Sequence, residues 1–245
     1  QVSHELRTPM TSIRSFSEIL LHTDDLSPEE RSRFVSIIHT ESLRLTRLLD
    51  EILDIAKLES RTMEMPLEPL DAGKALNAAI DTITGVALEK KVTITVPKPL
   101  GEIAVQANSD RLAQVLINIL SNAVKYNTNP EPEIRVDWHV WRGQLHLDIS
   151  DNGGGVSREE AEDIFSKFTR GSRAGEAQGA GLGLPISRAI MRRMGGDLAV
   201  IFRSDRTSFF RVTLWISPTA TAVTRGEGED EDEAAPAGEP QSAAS

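Results

Sequence analysis

The chain has 245 residues, 39% of them hydrophobic, no cysteine and a formal net charge of -10. That length and apolar content suffice for one large domain or two modest ones with real cores, and the missing cysteines exclude a disulfide framework, a thiolate zinc site and a cysteine nucleophile. Residues 218–245 hold seven acidic residues against Arg225, so only -4 of the charge belongs to what precedes them, without the basic surface expected of a nucleic-acid binder.

No apolar run approaches the ~20 residues of a membrane-spanning helix, and no signal-peptide pattern opens the chain. The chain starts without Met inside a running helical pattern. It reads as a cytoplasmic fragment that touches no membrane itself, cut from a protein whose upstream part is free to be membrane-anchored. Residues 1–22 carry Leu6, Met10, Ile13, Ser17 and Leu20 at alternating three- and four-residue steps, which predicts a helix with one dry stripe. His4 lies about 200° around that helix from Leu6 and points to water. Pro9 removes one helical hydrogen bond and should bend the helix just beyond His4.

Ser27, Pro28, Glu29 and Glu30 form a helix start: a serine cap, proline at the first position, acids at the positive end of the dipole. The second helix repeats Ile38, Leu45 and Ile52 every seven residues, with Phe34, Leu48 and Ile55 in a parallel row that Glu41 breaks, and runs to about Leu58. Two such helices bury their seams most economically as an antiparallel hairpin that dimerises into a four-helix bundle. Pro66 and Pro69 mark a domain boundary, giving domains at 1–65 and 66–217 and an acidic, disordered tail at 218–245. Beyond the boundary the pattern is α+β. It predicts a helix over 71–90, strands at 91–96 and 103–106 around 97–101, and a helix over 110–126. A hairpin follows at 134–141 and 144–150, then a helix after Gly183 and a closing hairpin at 197–202 and 209–216. The expectation is a single sheet with helices on one face, and a long lid-like loop at 156–183.

Asn118, Asn122 and Lys125 share one face of the 110–126 helix. Carboxamide oxygens suit a magnesium ion that keeps waters and phosphate ligands, and lysine offers a charge to phosphate; a plain solvated face has the same pattern. Asp151, at a strand end before Gly153, Gly154 and Gly155, can accept a hydrogen bond from an exocyclic amino group, although Asp-Asn-Gly is also ordinary turn chemistry. Gly179, Gly181 and Gly183 lead into a helix start, where successive amides make an anion site. The cluster matches neither a P-loop nor a dinucleotide fingerprint. His22, His39, His139 and His146 show no metal spacing and read as a loop, a helix-surface and two strand positions. The three tryptophans, Trp138, Trp141 and Trp215, read as packing residues.

Taken in order, His4 to Pro9, Asn118 to Tyr126, Asp151 to Gly155, Ile164 to Phe168 and Gly179 to Gly183 resemble the H, N, G1, F and G2 boxes of the sensor histidine kinases, and the resemblance covers residues 1 to about 217. It implies a phosphoacceptor hairpin followed by an α/β sandwich that binds ATP and Mg2+, a homodimer, and a response-regulator receiver as partner. Residue by residue, it implies that His4 is the phosphoacceptor and Asn122 the magnesium ligand, with Asn118 and Lys125 at the nucleotide phosphates and Asp151 at the adenine amino group. Tyr126 would flank the nucleoside. Gly153, Gly155, Gly179, Gly181 and Gly183 would shape the pocket and lid hinges, and Phe165 and Phe168 would anchor the lid. Thr8 would orient water for dephosphorylating the partner. Ala180, Gly154 and Pro185 depart from the commoner pattern, with small effects expected on the lid.

The resemblance implies a sandwich shared with topoisomerase and chaperone ATPases, in which a glutamate that activates water stands where this chain has Asn118, which cannot act as a base. ATP should therefore be held until His4 arrives as a neutral imidazole. Glu5 would accept the other ring N–H, although adjacent helical residues share no face and the contact needs a favourable rotamer. The expected activity is an ATP-dependent protein-histidine kinase. The alternatives are a net phosphatase of the partner dependent on Thr8, or a non-catalytic ATP-binding scaffold.

Overall fold

The computed structural model describes residues 2–60, 64–167, 181–203 and 207–218. Helix α1 (Val2–His22) and helix α2 (Pro28–Glu59) form the expected hairpin. The start of α2 is fixed locally: Ser27 Oγ accepts the Glu30 N–H at 3.2 Å, and Glu30 Oε2 accepts the Ser27 N–H at 2.9 Å. This capping box satisfies two amides that the helix itself leaves unpaired. The rings of Phe16 and Phe34 meet at 5.3 Å across the hairpin. Leu48 is buried, with Leu6, Ile52 and Ile55 packed against the same core. Two expectations shift. α1 runs uninterrupted through Pro9, which is buried, and His22 is its last residue rather than a loop residue. Met10 is 57% exposed at the edge of its stripe.

The second half contains strand β1 (Glu68–Asp71), helix α3 (Ala72–Glu89), strands β2 (Thr93–Thr95) and β3 (Ala104–Ala107) and helix α4 (Ser109–Tyr126). Strands β4 (Glu133–Trp141) and β5 (Gln144–Asp151), helix α5 (Gly183–Arg193) and strands β6 (Asp197–Phe202) and β7 (Ser208–Trp215) follow. Arg142 and Gly143 take φ of 50° and 75°, the paired positive values of a tight hairpin turn, so β4 and β5 pair antiparallel from Trp141 and Gln144 outward.

The single expected sheet is two sheets. Five strands run in the order β2-β4-β5-β7-β6, with β2 parallel to β4 and the rest antiparallel, while β1 and β3 pair separately. The segments flanking 97–101 therefore join different sheets. β1 lies in the proline-rich stretch that reads as linker; a two-stranded sheet gives Pro69 an edge position, where a missing N–H is tolerated. A bridge from Val105 to Ile216 ties the small sheet to the end of β7.

Helices cover one face of the large sheet, as expected. The cross-strand pairs Val136–Ile149, Leu147–Val212 and Leu145–Leu214 face Leu76, Leu116, Ile119, Leu120, Ile190 and Met191 in one dry core. The opposite face is polar: Arg211 donates to Asp148 through two bonds of 2.7 Å, and His139 stacks on His146 at 4.9 Å. Burial, with Arg211 and His139 nearby, lowers the His146 pKa. Trp138 and Trp215 use their indole N–H groups on the carbonyls of Lys98 and Gly195, and Trp141 is half exposed beside Arg142, so these residues finish sheet edges more than they fill the core. The hairpin meets this domain at a clamp, where Asp54 Oδ2 accepts from Arg111 Nη1 at 2.9 Å and from Gln114 Nε2 at 3.0 Å. Among the described residues no helix is long and apolar enough to cross a membrane.

Candidate active site

A cavity of about 880 Å³ opens between α2, α4 and the ends of β5 and α5. Eight of the residues with an expected site role line it: Asn118, Asn122, Lys125, Tyr126, Asp151, Gly155, Gly181 and Gly183. α4 places the first three because its opposite face, with Leu112, Leu116, Ile119, Leu120, Ala123 and Val124, is held in the core. Asn118 Nδ2 donates to Ser187 Oγ at 2.9 Å, and Asn122 Nδ2 donates to Asn118 Oδ1 at 3.4 Å. The two bonds orient both carboxamides. The Lys125 ammonium stands 5.0 Å from the centre of the Tyr126 ring.

Asp151 ends β5, where its Oδ1 accepts the Gly153 N–H at 2.9 Å. Burial pushes its carboxyl above the ordinary aspartate value, and backbone N–H bonds from Gly153 and its own residue partly counter that. Gly153 is therefore a partner of Asp151, and does not itself line the cavity. Gly155 has φ +62°, and a Cβ there would stand 2.8 Å from Ser208 Oγ, which accepts the Val156 N–H. At Gly183 a Cβ would stand 2.5 Å from Asn118 Oδ1. Gly155 lets the backbone meet the Ser208 hydroxyl and Gly183 lets it meet the Asn118 carboxamide, where any side chain would intervene. Phe165 packs against the core with the Arg188 guanidinium 4.4 Å from its ring centre. Phe168 and Gly179 lie outside the described residues.

The acceptor side is arranged differently. His4 is exposed and is not among the residues lining the cavity. Thr8 Oγ1 donates to the His4 carbonyl at 3.3 Å, the back-bond that threonine makes within a helix. The Glu5 carboxylate stands 3.8 Å from the Arg44 guanidinium, so its polar partner in this structure is on α2.

Sequence reasoning missed that α2 forms a wall of the cavity, through Thr40, Arg44, Arg47, Leu48 and Glu51. Burial raises the Glu51 carboxyl pKa, with Arg47 and Lys125 opposing. The signal was present: positions 40, 44, 47 and 51 fall at helical spacing and form a polar stripe. What that stripe faces is tertiary information. Also missed was the loop frame made by Asn127, Asn129 and Asn152, in which Asn127 Nδ2 donates to Asn152 Oδ1 at 2.9 Å and Asn129 Nδ2 to the Asn152 carbonyl at 3.0 Å.

Among the described residues no group of three His, Cys, Asp or Glu side chains could cage a metal. A magnesium ion sharing phosphate oxygens and waters needs no such cage, and a single carboxamide oxygen from Asn122 fits that kind of site.

Comparison with known proteins accounts for both halves. Residues 1–61 match the family model described as His Kinase A (phospho-acceptor) domain, and residues 107–219 match that described as histidine kinase-, DNA gyrase B-, and HSP90-like ATPase. The sensor protein KdpD of Escherichia coli is 37% identical over 215 residues, covering 87% of this chain and 23% of that protein. The aerobic respiration control sensor protein ArcB of the same organism is 30% identical over 238 residues, covering 94% of this chain and 30% of that protein. The chain thus spans about a quarter of the length of these relatives. Among solved structures, full-length ShkA in complex with AMPPNP is 26% identical with a TM-score of 0.65, covering 88% of this chain and 45% of that one. With both modules present in this order on the fold just described, the chain belongs to the sensor histidine kinases, as their catalytic core.

Proposed function

We propose that the chain autophosphorylates His4 from Mg-ATP, as a homodimer, and passes the phosphoryl group to an aspartate of a response-regulator receiver, in the cytoplasm. The observation that carries this reading is the convergence of Asn118, Asn122, Lys125 and Asp151 on one cavity beside the phosphoacceptor hairpin. The AMPPNP complex of the relative ShkA supports an adenine nucleotide as its occupant. We divide the chain into a phosphoacceptor hairpin at 1–65, an ATP-binding domain at 66–217 and an acidic tail; β1, which pairs with β3, supports a boundary before residue 68.

Asp151 would accept the adenine amino group, Tyr126 would flank the nucleoside, and Lys125 and Asn118 would meet the phosphates. Asn122 would hold magnesium, which supplies neutralising charge at the phosphate oxygens. One imidazole nitrogen of His4 attacks the γ-phosphorus. The new N–P bond forms as the bond to the β,γ-bridging oxygen breaks, ADP leaves with the electron pair, and the proton on the other ring nitrogen passes to Glu5. Thr8, one turn from His4, would orient water when the phosphorylated partner is hydrolysed.

Incubation with γ-labelled ATP should give an alkali-stable, acid-labile phosphoprotein whose label moves to a receiver protein. Label that persists in His4→Gln would refute the assignment.

A further inference from the structure

The geometry points to Arg44 as a catalytic residue for phosphoryl transfer, one that engages the terminal phosphoryl group in the cavity and ties it to the carboxylate beside His4. The inference rests on the kinase reading above. Arg44 lines the cavity from α2. Its Nη2 stands 3.8 Å from Glu5 Oε2 and its Nη1 stands 3.6 Å from Glu41 Oε2. The side chains of Arg44, Glu5 and Glu41 are 22%, 20% and 15% exposed, so water screens them little.

Neither contact reaches hydrogen-bond length, and Glu41 Oε2 is buried without a hydrogen-bond partner among the described residues. Arg44 is therefore shared between two carboxylates by charge, with no hydrogen bond donated to either. A guanidinium held this way keeps its N–H fork for a better-placed acceptor, and phosphate oxygens are acceptors that match the fork in two bonds. The lining of the cavity by Arg44 puts such an acceptor within the reach of its flexible side chain.

The same contact explains how Glu5 can serve a neighbour with which it shares no helix face. In the present arrangement Arg44 attracts the Glu5 carboxylate toward α2. When the terminal phosphoryl group of a nucleotide enters the cavity, the guanidinium turns to it and the Glu5 carboxylate is released. Glu5 then takes the proton from one ring nitrogen of His4 while the other forms the N–P bond and ADP leaves with the electrons of the broken P–O bond. Arg44 makes the competence of the acceptor conditional on a nucleotide with a terminal phosphate. A purely structural Arg44 would only join α1 to α2.

The test measures initial rates of His4 labelling against Mg-ATP concentration for wild type, Arg44→Gln, Arg44→Lys, Glu5→Gln and the double variant Arg44→Gln/Glu5→Gln. Nucleotide affinity and thermal midpoint are measured separately for each. Arg44→Gln should lower the maximal rate roughly hundredfold to thousandfold, the scale of losing one charge-stabilising donor, while nucleotide affinity changes less than about threefold because most of the proposed binding contacts lie on α4 and β5. Arg44→Lys should recover part of the loss, keeping the charge without the fork. The double variant should be no slower than the slower single variant, because both act in one step. A wild-type maximal rate in Arg44→Gln, or losses that multiply in the double variant, would overturn the proposal. If Arg44→Gln does not fold, Arg44→Lys carries the test: a severalfold slower maximal rate at unchanged affinity supports the role, and a wild-type rate overturns it. Absence of His4 label in the wild type would refute the kinase reading itself, a result distinct from a labelled wild type that is indifferent to Arg44.

Discussion

Asp151 sits where burial works against its own charge. Its carboxyl is raised above the ordinary aspartate value of 3.8, chiefly by burial. A carboxyl whose folded pKa lies above its unfolded one favours the folded state most at pH below the unfolded value, and that contribution is lost as pH rises through the folded value. At pH 7 the ionised Asp151 therefore costs stability, and the proposed bond from the adenine amino group would offset the cost on binding. Asp151→Asn should raise Tm by roughly 1–3 °C at pH 7, with the gain shrinking as pH falls toward the ordinary aspartate range. Calorimetry of the same variant should show nucleotide affinity down about tenfold to hundredfold, the loss of a charged acceptor. Unchanged affinity would remove Asp151 from base recognition. The choice of Asp151, Asn118 and Asn122 was legible in sequence because strand end, helix face and glycine turns are local features. The placing of Glu5 against Arg44 was not, since it joins positions 39 residues apart on two helices.

At the level of elements, α2 works through separate groups: its apolar rows hold the hairpin, the stripe from Thr40 to Glu51 walls the cavity, and Asp54 reaches α4. Asp54→Ala leaves Arg111 without its carboxylate and should weaken the junction by about 1–3 kcal/mol. Amide hydrogen exchange should then speed up at the start of α4 and the end of α2 while the β5 core is unchanged; identical exchange in the variant would mean that the clamp carries no weight in solution. Two helix starts were readable because their caps are short-range: Ser27 and Asp71 each accept an N–H two or three residues ahead, whereas the Asn108 cap of α4 went unread. The division into two sheets was not readable. β1 to β3 are three or four residues long, and their pairing is decided by partners tens of residues away, which periodicity cannot report.

For the whole molecule, the hairpin still displays apolar surface after packing on its own chain. Val35, Leu49 and Leu53 fall on one side of α2, Met10 and Leu21 on one side of α1, and all five are more than two-fifths exposed. A second copy of the chain is the proposed cover, completing a four-helix bundle. Leu49→Glu with Leu53→Glu should turn the dimer into a monomer by light scattering, and nucleotide binding, which is proposed to draw on α4, β5 and α5, should survive. A dimer that persists would place the interface elsewhere. The central claim is that this cavity feeds its phosphoryl group to His4. It is tested most directly by incubating the dimer with Mg-ATP, digesting it under alkaline conditions and mapping the modified residue by mass spectrometry. The account predicts phosphohistidine at position 4, absent when Asn122 is replaced by alanine. ADP production with no phosphohistidine, or modification at His22 or His39 in place of His4, would contradict it.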